Sequence, residues 1–468
     1  ARNKPVFLYW GAVWCPPCNQ VKATIFNRQN FIERSRSFVP VYLDGDSPDG
    51  QKLGARFKVR GYPTMILFRP DGTEVTRLPG EVDGERYLQV LTLAMNAVRP
   101  VRDTLQAALG GTPLSADDWR LLADYSWDTD EQQLVGSKDL PVMLQRLAKA
   151  APPGDAAVRL ALKSIVVATD ASPETAARID KTAAVEQLMK TLASPQVVRD
   201  NMDLLANYAA PVIGFISTPK SAARSQLTTA WNKALQKLAA DTALSKADRL
   251  SALEARVALA RMGQPKGALD AALLNDVRQQ VAQADRATTD AYERQAVISG
   301  AGHVLSEAGL LDASDTLLKA ELKRSHSPYY FMLALASNAK KRGDNATALD
   351  WYEQAYQAAK GPATRLQWGV TYLSGLIDLA PDDEKRIEIA AKTMFVELGG
   401  TQNAFYERNH AVLERLSRKL AQWNTAGKHD AALQRVSGQL ADVCAKLPSG
   451  DSQRASCKAM VTAARTRP

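Results

Sequence analysis

The sequence predicts a small α/β domain at the N-terminus followed by a long all-α region, on three observations. Within the first hundred residues, short aromatic and β-branched runs alternate with segments of helical spacing, in the order βαβαββα. After Arg99-Pro100 no strand-like run recurs, and the segments become Ala/Leu-rich with apolar residues at helical spacing. At 468 residues the chain also exceeds what one hydrophobic core usually organises.

Pro5–Gly11 and Phe38–Leu43 read as strands, and Thr64–Phe68 and Glu74–Leu78 flank Pro70-Asp71-Gly72 as a β-hairpin. Helices are expected from Cys15 to about Arg34, over Gln51–Phe57 and over Gly84–Val98. Further on, Gly110-Gly111-Thr112-Pro113 and Pro152-Pro153-Gly154-Asp155 mark loops. Ser115 ahead of Asp117 and Asp118 reads as an N-cap, and Ser172-Pro173-Glu174 starts another helix. Around Gly343, Leu335 and Ala336 before the turn and Ala348, Tyr352 and Ala355 after it sit where tetratricopeptide repeats place theirs. Gly309 stands 34 residues earlier, and Pro328 and Pro362 fall at matching offsets. A third repeat around Gly263 and Ala268 breaks the period. Each such hairpin buries its apolar face only against its neighbours, so small residues are needed at the close crossings. The expected division is an α/β domain at 1–99, an all-helical domain at 100–250 and a helical-repeat domain at 251–468.

The composition, 46% hydrophobic and 23% charged, is that of a chain that folds in water. The most apolar stretch, around Ala209–Ile216, is too short to cross a bilayer, so no membrane span is expected. The net charge of +9 comes from 59 basic and 50 acidic residues spread along the chain, with only short clusters such as Lys340-Lys341-Arg342. A nucleic-acid partner is therefore not expected. The first residue is Ala1 with a strand-like run close behind it, as in a processed or trimmed product.

Chemistry is concentrated in Trp14-Cys15-Pro16-Pro17-Cys18, between a strand and a helix. A sulfur at a helix N-terminus meets unpaired backbone N–H groups and the positive end of the helix dipole, which stabilise its thiolate. Cys15 is thus the attacking thiol. Cys18, one turn further in, is placed to resolve the mixed disulfide. Half a zinc site would need two more ligands nearby, and Cys444 and Cys457 lie in another domain. His303, His326, His410 and His429 have no ligand spacing, so no metal is expected. Trp119, Trp127, Trp231, Trp351, Trp368 and Trp423 read as anchors of helix packing. Without a P-loop or a dinucleotide fingerprint, no cofactor is expected. Cys444 and Cys457 flank the turn Leu447–Asp451, so a disulfide stapling that hairpin is favoured over two unpaired core cysteines.

Over Lys4 to about Met95 the sequence resembles the thioredoxin superfamily, on three features. They are Lys4-Pro5-Val6 leading into the C-x-x-C, the loop Val59-Arg60-Gly61-Tyr62-Pro63-Thr64, and Gly80 before the last helix. The resemblance implies a thioredoxin fold, with Pro63 as the cis-proline beside the sulfurs and Tyr62, Pro63 and Trp14 lining a peptide-binding groove. Where the family usually carries a buried acid six residues before the first cysteine, this chain has Tyr9. A phenol is a far weaker acid, so proton transfer at Cys18 is expected to use water or another residue. Pro16 and Pro17 offer no N–H to the Cys15 thiolate, which predicts a potential nearer the thioredoxin value of about −270 mV than the DsbA value of about −120 mV.

The expected function is thiol–disulfide exchange, reducing disulfide-bearing protein substrates, with the helical region holding substrate or partner. The resemblance implies a thiol reductant as electron donor, such as a membrane reductase of the DsbD type. The alternative is a helical-repeat binding or assembly protein whose dithiol is a switch or tether. A Cys444–Cys457 disulfide, with the resemblance to bacterial extracytoplasmic thioredoxin-like proteins, points to the periplasm; the alternative is the cytoplasm.

Overall fold

Six residues of near-continuous apolar sequence, Val6–Gly11, form strand β1, buried along almost all its length as a central strand must be. The structure, a computed structural model, describes residues 3–59, 61–80, 83–127, 130 and 133–466. The remaining elements of the first domain are α1 (Pro16–Val21), α2 (Gln29–Ser35), β2 (Val39–Asp44), α3 (Pro48–Phe57), β3 (Thr64–Phe68), β4 (Glu74–Leu78) and α4 (Gly84–Met95). The sheet runs β2-β1-β3-β4. Val39 N–H donates to Pro5 O and Gly45 N–H to Gly11 O, the even offset of parallel strands. β3 and β4 pair antiparallel, Met65 opposite Leu78, with a register shift between Leu67 and Phe68. Gly72 takes the positive φ of the turn, at 89°.

β1 starts one residue later than the sequence expectation, β2 shifts by one residue and α4 ends at Met95 rather than Val98, while two other differences have local causes. The helix expected from Cys15 to Arg34 is two: α1 runs on as a π-helical turn, Lys22–Phe26, and the chain breaks at Arg28, whose backbone is extended. No Gly or Pro announces that break. α3 begins at Pro48 rather than Gln51, because the Ser47 hydroxyl accepts from Gly50 N–H at 2.9 Å and proline suits the first helical position. Everything described after α4 is helix and loop. Ser115 caps its helix in a capping box with Asp118, and Ser172 caps Pro173–Ala176. None of the described helices is long and apolar enough to cross a membrane.

The chain divides into two compact units. The first comprises the chain up to Tyr9, Cys15–Tyr42 and Pro63–Ser314; the second comprises Trp10–Trp14, Leu43–Tyr62 and the chain from Asp315 on. In the first, Phe7 packs against Phe26, Phe31 and Phe38 with ring centroids 5.0 to 6.1 Å apart. There α1 packs on the helix Ala291–Glu307. A buried ion pair holds the middle of this unit: Arg159 grips Asp203 with two N–H groups, at 3.0 and 2.7 Å. Burial works to raise the Asp203 carboxyl, but the Arg159 guanidinium, with the charges of Lys163 and Arg86, outweighs it and holds the group below its usual range.

In the second unit, helical hairpins turn at glycine. Pro328–Lys341 and Asn345–Ala358 are joined through Gly343, with φ 78°, and Ala348 and Ala355 are fully buried. Pro362–Leu379 and Glu384–Gly399 follow, then Glu407–Trp423, Asp430–Lys446 and Ser452–Arg465. A disulfide joins Cys444 to Cys457 across the last turn, Cα to Cα 5.6 Å.

Candidate functional site

The dithiol belongs to the first unit. Cys15 and Cys18 are joined in a disulfide, with Cα atoms 5.2 Å apart. Cys15 is the N-cap of α1, and Pro16 and Pro17 fill its first two positions. The first N–H the helix can offer is therefore that of Cys18, which donates to Cys15 Sγ at 3.2 Å. Cys15 is 2% exposed and Cys18 0%. Pro63 is buried, and a Cβ built on Gly80 would stand 3.4 Å from its Cγ.

Tyr9 lies under the dithiol helix, 5% exposed, with its hydroxyl donating to Cys18 O at 3.4 Å and its ring 5.1 Å from Phe26. Burial, with a smaller push from Tyr42, drives the phenol far above its ordinary value. It stays protonated and serves the backbone of Cys18 rather than its thiol. Tyr9→Phe is therefore expected to cost about 1 kcal/mol of stability or less and to leave the pH profile of disulfide exchange unchanged. A shifted profile, read by stopped-flow exchange with a model disulfide, contradicts this.

The two aromatic residues expected to line the groove belong to the second unit, where helical residues surround them. Trp14 donates its indole N–H to Thr364 Oγ1 at 2.8 Å. Its ring stacks on Tyr330 at 6.0 Å and meets Trp368 edge-on at 4.9 Å. Tyr62 lies 5.9 Å from Trp14, donates to Gly45 O at 3.0 Å and accepts from Gln51 Nε2 at 3.2 Å. Any side chain at Gly45 would overlap the Tyr62 ring. The Arg408 guanidinium sits over both rings, 5.4 Å from Trp14 and 5.0 Å from Tyr62. His326 Nε2 lies 3.1 Å from Val13 O. Arg60, part of the quoted loop motif, lies outside the described residues.

Asp46, just after β2, adds a second tie. Its carboxylate accepts from Thr364 N–H in the first turn of Pro362–Leu379, whose own N-cap, Gly361, has no side chain to offer. Burial is the main reason the carboxyl is pushed up to about 6. Since that lies above the ordinary value of 3.8, folding favours the protonated acid. The contribution is complete below about pH 4 and lost as pH rises through 6. Asp46→Asn, which keeps an oxygen for Thr364, is expected to remove this slope. Between pH 4 and pH 7 the variant should gain on the parent by about 2 kcal/mol in urea unfolding, and parallel curves would refute the assignment.

Thr364, Tyr330, Arg408 and Asp46 carry no sequence signal that singles them out, because each acts across 280 residues or more through contacts no motif records. Trp368 was expected as a packing anchor, and it is one: 1% exposed, its indole N–H on Tyr329 O at 3.1 Å. The histidines stay apart, His303 facing Glu254 at 3.2 Å and His429 facing Glu384 at 2.7 Å. Among the described residues no group of His, Cys, Asp and Glu could hold a metal ion.

Residues 1–94 match the family model of a thioredoxin-like domain. Over 93 residues the chain is 30% identical to a thioredoxin of Mycolicibacterium smegmatis, a stretch that is 20% of this chain and 80% of that protein. The chain belongs to the thioredoxin family. Outside its thioredoxin domain, which carries the Cys15–Cys18 pair, the rest of the chain is helical. The thiol:disulfide interchange protein DsbD of Pseudomonas fluorescens is 35% identical over 101 residues, 21% of this chain and 17% of that protein. A thioredoxin of Mycobacterium tuberculosis is 35% identical over 78 residues, 17% of this chain. The chain thus spans about a sixth of the DsbD protein and 63% of the Mycobacterium tuberculosis thioredoxin.

Proposed function

We propose that the chain is a thiol–disulfide oxidoreductase that reduces disulfides in protein substrates, with its helical region holding substrate or partner. The observation that carries this is the Cys15–Cys18 disulfide at the start of α1, with Cys18 N–H on Cys15 Sγ at 3.2 Å. In the reduced protein the Cys15 thiolate attacks a substrate disulfide, forming a mixed disulfide and releasing one substrate thiolate, which takes up a proton. Cys18 gives up its proton and attacks Cys15 Sγ. The second substrate sulfur leaves as a thiolate, and the Cys15–Cys18 bond forms. A thiol reductant must then return two electrons, and the similarity to DsbD supports a donor of that membrane-reductase type.

Trp14, Tyr62 and Pro63 act in this reading as the groove beside the sulfurs, as the family resemblance implies. The Cys444–Cys457 disulfide supports an oxidising compartment, and with it the periplasm. The glycine turns and buried alanines of the hairpins support a tetratricopeptide-like array.

One observation favours a second reading, in which the helices bind a partner and the dithiol is a switch: Cys15 is 2% exposed in the disulfide form. Cys15→Ala separates the two. Reduction of insulin by dithiothreitol should lose its acceleration in the variant if the first reading holds. Unchanged capture of a partner protein, with no acceleration even by the parent chain, would support the second.

A further inference from the structure

Along the helix Glu407–Trp423, Arg408, Val412, Arg415 and Lys419 recur at offsets of four, seven and eleven residues and so share one face. Val412, Arg415 and Lys419 line a cavity of about 360 Å³ in the second unit, together with Lys340, Gln367, Thr371 and Ser374. Its one carboxylate, Asp378, is taken by Lys419 at 2.5 Å. Lys340 and Arg415 are exposed and make no ion pair among the described residues. Gln367, on the cavity wall, holds Arg408 by accepting from its Nε at 2.7 Å.

Arg408 is the unusual member. It is half-buried, pressed on two aromatic faces, and faces no carboxylate among the described residues; its Nε bond to Gln367 leaves the rest of the guanidinium fork without a hydrogen-bond partner there. Burial, aided by the like charge of Arg415, draws the guanidinium below its ordinary value. A guanidinium that has given up part of its water without gaining an anion gains most from a carboxylate that completes its fork.

We propose that this cavity and Arg408 form a binding site for an acidic peptide segment of a protein partner, one carboxylate on the Arg408 fork and others on Arg415 and Lys340. The spacing argues for a peptide over a small anion. Arg408 and Lys419 are about 16 Å apart along the helix, the reach of roughly five extended residues. Thr371 Oγ1, whose proton is on Gln367 O, can accept from a peptide N–H, Gln367 Nε2 can donate to a peptide carbonyl, and the Ser374 hydroxyl can do either. The site extends the reading of the helical region as the part that holds substrate or partner, and rests on that reading only for what the partner is.

The test uses the whole chain and an eight-residue fluorescein-labelled peptide of alternating Glu and Ser, free of cysteine, so that loss of redox activity cannot mimic loss of binding. A Lys/Ser peptide and a ten-nucleotide oligothymidylate serve as rivals, with fluorescence anisotropy as the readout. The acidic peptide should bind in preference to both and weaken with salt. Its affinity should fall about tenfold in Arg408→Gln and in the surface variants Arg415→Gln and Lys340→Gln, and stay unchanged in the remote Lys233→Gln. Equal binding of the Lys/Ser peptide, tighter binding of the oligonucleotide, no binding at all, or an unaltered affinity in Arg415→Gln and Lys340→Gln overturns the proposal.

Discussion

Replacing Cys18 by serine is expected to freeze the protein on its substrate. Cys15 can still open a substrate disulfide, but the thiol that should resolve the mixed disulfide is gone, so the covalent adduct accumulates. Cys15→Ser should form no adduct, because the remaining sulfur is 0% exposed and sits inside α1. Multiple-turnover reduction should fall by about a thousandfold or more in both variants, since the two sulfurs act as one unit. Non-reducing electrophoresis with a disulfide-bearing protein reads the difference directly. Adducts in Cys15→Ser but not in Cys18→Ser would reverse the assigned roles.

The second large effect is expected far along the chain, at Gly361. Its φ of 86° and ψ of 146° place it in backbone territory that side chains rarely enter, and an added Cβ would overlap the Asp46 carboxylate. Gly361→Ala therefore strains the backbone and displaces the Asp46 carboxylate, which accepts from Thr364 N–H in the first turn of Pro362–Leu379. Together these are expected to cost about 3 kcal/mol in denaturant unfolding. A change under about 0.5 kcal/mol would show that the Asp46 contact is dispensable. Combining Gly361→Ala with Asp46→Ala should cost less than the sum of the two, because each alone removes the same Asp46–Thr364 contact.

Local chemistry was readable in the sequence, and long-range packing was not. β3 and β4 have the bounds that their short apolar and β-branched runs on either side of Pro70-Asp71-Gly72 predict, because a hairpin is set by residues within one turn of each other. α1 is announced by its strand, its C-x-x-C and its prolines. The break at Arg28 has no Gly or Pro to mark it, and the Ser47-Pro48 start of α3 is a capping signal that apolar spacing alone passes over. Tyr9 stood out as a departure from the family pattern, and its hydrogen bond to Cys18 O gives that departure a structural role. Nothing near Trp14 foretells Thr364, 350 residues away. Arg408 looks like any surface arginine until the fold sets it on two aromatic rings.

The central claim, that Cys15 and Cys18 form a reducing couple, is tested most directly by equilibrating the pair against glutathione and dithiothreitol while following Cys444 and Cys457 separately by mass-resolved alkylation. Among the described residues Cys18 N–H is the one backbone donor on Cys15 Sγ, because the two residues between the cysteines are prolines. A thiolate with so few donors is expected to give a potential near the thioredoxin value of about −270 mV, with the distal pair remaining bonded throughout. A potential near about −120 mV, or a Cys15–Cys18 pair that does not cycle, would contradict the account.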